Sequence, residues 1–166
     1  RGMGALEFEP TTLPESRRTF SVELDSLVDM ARNMLTQRQA FVTSLQDDEE
    51  KAILDILRIG TSAGGARPKA VIAYNERTGE VRSGQTHAPK GFEHWLIKLD
   101  GVSDVQLGAS KGYGRVEMAY YHMALACGIR MMPSRLLEEN GRAHFMTRRF
   151  DREDGATRHH VQSFCA

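Results

Sequence analysis

Apolar residues recur along this chain in two rhythms, one helical and one strand-like, and the places where the rhythm changes outline the fold. Leu24, Leu27, Val28, Ala31 and Leu35 return every three or four positions, the spacing of a helix with one buried face. Ala52, Ile53, Ile56 and Leu57 repeat the pattern behind the acidic run 47–50, which predicts a second helix from Asp47 or Asp48 through Leu57, ending at Gly60. Ahead of both, Ala5 to Phe8 reads as a short strand before the break at Leu13-Pro14. Beyond residue 69 the period shortens. Ala70-Val-Ile-Ala-Tyr74 and Trp95-Leu-Ile-Lys98-Leu99 have the length and composition of strands. A further helix is expected over Glu117 to Gly128, with Met118, Tyr121, Leu125 and Gly128 at helical spacing. The runs 129–138 and 143–150 flank Asn140-Gly141, a strong hairpin signal. The tail from His159 reads as the start of another helix. This pattern predicts an α+β fold with a mostly antiparallel sheet, a helix packed on it and helical N-terminal material.

Between the two periodic regions lies Gly60-Thr-Ser-Ala-Gly-Gly-Ala-Arg-Pro-Lys69, with three glycines in six residues and Ser62 among them. Glycine frees the backbone to approach an anion, and successive amide N–H groups in such a turn form a concavity for phosphate oxygens. The loop fits neither G-x-x-x-x-G-K-[ST], because Ala70 follows Lys69, nor G-x-G-x-x-G opening a helix. Pro68 pushes its predecessor to extended geometry, so the loop enters a strand. The nearer analogy is a glycine-rich loop covering nucleotide phosphates, with a lysine on a second strand. A plain β-turn before a buried strand is the competing reading. Lys98, flanked by Trp95, Leu96, Ile97 and Leu99, must snorkel or find an anion, and Glu117 is its candidate partner. A glutamate is also common in the first turn of any helix.

Composition narrows the classes. Twenty-two basic and twenty-two acidic residues cancel, which argues against dominant nonspecific nucleic-acid binding. Arg148, Arg149, Arg152 and Arg158 cluster in sequence, but charged loops are usually solvated faces, and direct nucleic-acid contact is not favoured. No apolar run approaches the ~20 residues that cross a bilayer. Cys127 and Cys165 lack a C-x-x-C arrangement and read as reduced core thiols, and the six histidines show no metal-ligand spacing.

Several pieces together resemble the HipA family, the toxin kinases of type II toxin–antitoxin systems. They are Arg1-Gly-Met-Gly-Ala-Leu-Glu-Phe8, Ser62-Ala-Gly-Gly-Ala-Arg-Pro-Lys69, Trp95-Leu-Ile-Lys98, the Glu117 helix and Arg149-Phe150-Asp151-Arg152. The resemblance implies that residues 1–58 are the end of an N-terminal subdomain plus connecting helices. It implies that residues 59–166 are a kinase-like N-lobe that binds ATP. Thr61, Ser62, Ala63, Gly64, Gly65, Ala66, Arg67 and Lys69 would cover the ATP phosphates, Lys98 would contact them, Glu117 would position Lys98 and Phe150 would lie at the adenine hinge. Ser62 would be the autophosphorylation site of a serine/threonine kinase. Members often carry glutamate two residues before that phenylalanine, where this chain has Arg148.

The resemblance also implies a cytoplasmic protein, a protein substrate and a HipB-like DNA-binding antitoxin as partner. The family's catalytic aspartate and Mg²⁺ ligands lie in its C-terminal lobe, and nothing after Phe150 matches them. The chain is therefore expected to be a piece of a larger protein, with no catalytic residue or metal ligand of its own and no kinase activity by itself. A nonenzymatic interaction module and a small-molecule kinase of the same fold are the alternatives.

Overall fold

Strand-forming residues on either side of short, glycine-marked turns assemble into five antiparallel strands. The computed structural model describes residues 21–36, 53, 67–84, 88–102, 112–153 and 157–162. Helix α1 (Leu24–Thr36) is followed by β1 (Lys69–Tyr74), β2 (Val81–Ser83), β3 (Glu93–Lys98), helix α2 (Tyr113–Ala126), β4 (Ser134–Glu139) and β5 (Arg142–Arg148). A small hairpin of β6 (Arg152–Glu153) and β7 (Thr157–Arg158) closes the order. The large sheet runs β2-β1-β3-β5-β4 and every neighbouring pair is antiparallel, so the chain has the expected α+β architecture. The expected strand at 5–8, the helix at 47–57 apart from Ile53, and the loop 60–66 lie outside the described residues.

Period-two alternation gives the sheet two faces with different work. Ala70, Ile72, Tyr74, Trp95, Ile97 and Met146 form one core with the α1 stripe, where Leu27 and Val28 are fully buried, and Ile53 joins it. Full burial of such a side chain contributes about 1.5–3 kcal/mol, so the α1 stripe is a main anchor of the sheet. The opposite face carries Lys69, Lys98 and Phe145, and α2 packs on it over β5 and β4.

The Asn140-Gly141 turn is as the sequence predicts. Both residues have positive φ, 43° and 75°, the geometry that lets a two-residue loop match the strand twist. The β1–β2 hairpin is an element the hydrophobic pattern did not reveal, because β2 is only three residues long. Its signal is polar: the Asn75 side chain accepts hydrogen bonds from the Arg77 and Thr78 amides at 3.0 and 3.3 Å, and Gly79 turns at φ 75°.

Helix α2 departs from expectation at its start and in its phase. It begins at Tyr113, a full turn before Glu117, and its fully buried residue is Gly114. A Cβ there would overlap the Ala143 carbonyl oxygen, so the closest approach of helix to sheet is set by this glycine. Glu117, Met118, Tyr121 and Ala124 then turn toward the sheet, and Leu125, expected inside, is exposed. The end is as expected: Gly128 has φ 76°, its amide bonds the Leu125 carbonyl and the Ile129 amide bonds the Ala124 carbonyl, which caps the last turn. Cys127, expected in the core, is exposed there. Residues 159–162 are irregular, so the expected tail helix does not begin within them.

Candidate functional site

Lys98 is the last residue of β3, and antiparallel register sets Lys69, the first residue of β1, directly across from it. Two lysines facing each other on one sheet face repel unless an anion lies between or beside them. Glu117 is such an anion: Lys98 Nζ donates to both its carboxylate oxygens at 2.6 Å. Both side chains are about one-third exposed, so the pair contributes about 1 kcal/mol or less to stability. Its consequence is geometric, since it fixes where the ammonium group points. The sequence placed this pair 19 residues apart; α2, seated by Gly114, closes the distance.

Lys69 is nearly buried. Burial holds its ammonium below the usual lysine value, the Lys98 charge adds to that, and Glu117 opposes both. Extra negative charge at this end of the sheet, such as a phosphate, would be stabilised by both lysines. Arg67 lies 3.3 Å over the ring of Tyr113, so the segment leaving the glycine loop is stacked on the first residue of α2. Of the predicted loop residues, Lys69 is thus brought to the Lys98–Glu117 pair and Arg67 to Tyr113, one turn before Glu117 on α2. Thr61, Ser62, Ala63, Gly64, Gly65 and Ala66 lie outside the described residues.

At the other end of the same strands the chain leaves β5. The Arg149 amide donates to the His94 carbonyl at 2.9 Å, extending the β3–β5 ladder by one bond. Arg149 and Asp151 both turn inward and form a buried bidentate pair, Nε to Oδ1 at 2.7 Å and the second guanidinium nitrogen to Oδ2. Arg152 also donates to the Asp151 backbone and side chain. With its two neighbours held inside, Phe150 projects outward and is 57% exposed. Phe150 is five residues beyond Phe145, which pairs with Lys98, so it lies roughly 17 Å along the strand direction from the lysine end and out of phase with the face of Phe145. Leu96 and Thr147, opposite each other in the register, share the face of Lys98 and Phe145.

The four arginines that cluster in sequence are separated by the fold. Arg149 is sequestered with Asp151, and Arg148 pairs with Glu93 at 3.2 Å. Arg148 and Glu93 line a cavity of about 260 Å³ beside the end of β5, together with Lys90, Phe92, His94 and Arg152. Among the described residues no group of three or more His, Cys, Asp or Glu side chains comes together to hold a metal, and no helix is long and apolar enough to cross a membrane. Residues the sequence did not single out are Gly114, Tyr113, Asp100 and His144. The only local signal for the first two was Gly112-Tyr-Gly114 ahead of the helix, while the last pair is a contact across 44 residues.

A family model described as HipA-like C-terminal domain matches residues 61–166. No curated protein and no solved structure matches the chain.

Proposed function

This chain belongs to the HipA-like family, and from that premise we propose that it is the ATP-binding portion of a serine/threonine protein kinase toxin. The observation that carries the proposal is the Lys98–Glu117 pair at 2.6 Å, with Lys69 across the register and Phe150 exposed just beyond the far end of β5. ATP would supply a transferable phosphoryl group to this site. Lys98, held by both oxygens of Glu117, offers its remaining N–H to phosphate oxygens, and Lys69 adds a second positive charge. Leu96 and Thr147 provide a half-buried surface between the phosphate end and the hinge. The base would meet the backbone of residues 148–150, because the Arg148 side chain is engaged with Glu93. Mg²⁺ would be held chiefly by residues outside those described; among the described residues no group of three or more His, Cys, Asp or Glu side chains comes together.

Ser62 is proposed as the acceptor of autophosphorylation. A phosphate there carries nearly two negative charges and would compete with ATP for Lys69, Lys98 and the loop amides. The wider setting proposed is cytoplasmic, with a protein substrate and neutralisation by a HipB-like DNA-binding antitoxin.

The test is calorimetric titration of Mg-ATP into the wild-type chain and into Lys98→Ala. A charge-assisted hydrogen bond contributes about 1.5–3 kcal/mol, so the variant is expected to bind roughly tenfold or more weakly with its fold intact. Equal affinity removes Lys98 from the site, and a wild-type chain with no affinity for nucleotide overturns the proposal.

A further inference from the structure

The β3–β5 ladder ends at Lys98, paired with Phe145, because the chain turns away through Gly101 at φ 81°. A terminal strand residue is where pairing opens first. Yet the two amides after Lys98 are both held. The Leu99 amide donates to the Pro68 carbonyl at 3.1 Å, and the Asp100 amide donates to His144 Nδ1 at 2.9 Å. The exchange is reciprocal, since the Asp100 carboxylate accepts the Ala143 amide at 3.2 Å. Side chains thus take over where the backbone ladder stops.

We infer that His144 is a positioning residue for Lys98, acting as a neutral acceptor that pins the Asp100 amide and so fixes the end of β3 against β5. The ring is fully buried. With Nδ1 accepting, the proton resides on Nε2, which faces Glu139 Oε1 at 3.2 Å and donates to it. Burial first, then the Arg142 charge, with Asp100 opposing, lowers the imidazole to about 4, so it stays neutral and its acceptor stays available near neutral pH. Arg142 bonds both Glu139 and Asp25 of α1, so the ring is backed by a polar chain on the α1 side of the sheet, away from the lysines. The two lysines stand on one face of β1 and β3 while the pin works from the adjoining strand.

The inference rests on the nucleotide reading only for what Lys98 binds, and its test has a readout that does not involve nucleotide. In His144→Asn the amide oxygen takes the place of Nδ1; in His144→Gln the amide group reaches the place of Nε2; His144→Leu has neither. Amide hydrogen exchange at Lys98 and Asp100 is measured by NMR for the full chain, beside Mg-ATP affinity. Asn is expected to match wild type in Asp100 exchange and to bind within about twofold. Gln and Leu are expected to exchange Asp100 about tenfold faster or more and to bind Mg-ATP at least about fivefold more weakly. Should the Leu variant fail to fold, Gln, which refills the space, carries the comparison. Equal protection in Asn and Gln, or faster exchange with unchanged affinity, overturns the positioning role. Absence of nucleotide binding by the wild type overturns the nucleotide reading instead, and exchange then decides the pin alone.

Discussion

Asp151→Asn is the substitution with the largest expected effect on the segment that follows β5. It keeps the size of the side chain and removes one charge from a site where Asp151 is fully buried and Arg149 and Arg152 side chains are only 3% and 13% exposed. The carboxylate accepts both guanidinium bonds of Arg149 and a third from Arg152, so the variant leaves two buried cations facing a neutral amide. Removing one partner of a buried pair costs about 3–5 kcal/mol, because the remaining charge has lost its hydration and gained nothing in return. Against a typical domain stability of about 5–15 kcal/mol this is a severe loss. At about 2–4 °C per kcal/mol for a chain of this size, the Tm should fall by roughly 6–20 °C. Thermal unfolding followed by circular dichroism measures it directly. The double variant Arg149→Met, Asp151→Leu separates charge from shape, and it should recover the part of the loss that comes from an unpaired Arg149, while Arg152 still loses its carboxylate acceptor. A fall of less than about 3 °C in Asp151→Asn would refute the argument that the buried pair holds the segment after β5.

Two further outcomes follow from the same geometry. His144 is neutral down to about pH 4 in the folded chain, against 6.5 for the ordinary group, so the unfolded chain takes up the proton first as pH falls. Stability should therefore decline between about pH 6.5 and pH 4, by roughly 3 kcal/mol at most, and denaturant titrations of His144→Asn should lack that part of the slope. Gly114→Ala places a methyl against the Ala143 carbonyl. It is expected to cost about 1–3 kcal/mol and, by lifting α2, to weaken Mg-ATP binding through Glu117; a variant with unchanged melting temperature and affinity would show that the helix is not seated by that glycine.

Much of this architecture is readable before any fold is known, wherever short-range patterns carry the information. The α1 stripe, the Asn140-Gly141 turn and the Gly128 stop are local: each needs only the helical or strand period and the positive-φ freedom of glycine or asparagine. Lys98 could be singled out because a charge within an apolar strand demands an explanation, and Glu117 because it lay at the start of the next helical pattern. The phase of α2 could not be read, since its sequence is apolar on most sides and the deciding contact is a backbone approach at Gly114. β2 was too short for periodicity, and the inward turn of Arg149 is the reverse of what a lone arginine in a polar loop suggests.

What the sequence determined by itself is the order of elements, the turn chemistry and the residues whose charge required a partner, because those follow from neighbours along the chain. Only the tertiary structure decided which partners meet. Register puts Lys69 opposite Lys98, Gly114 lets α2 deliver Glu117 to within 2.6 Å, and His144 reaches the Asp100 amide from 44 residues away. Such contacts depend on angles and separations accumulated over whole strands and helices, which no local pattern encodes.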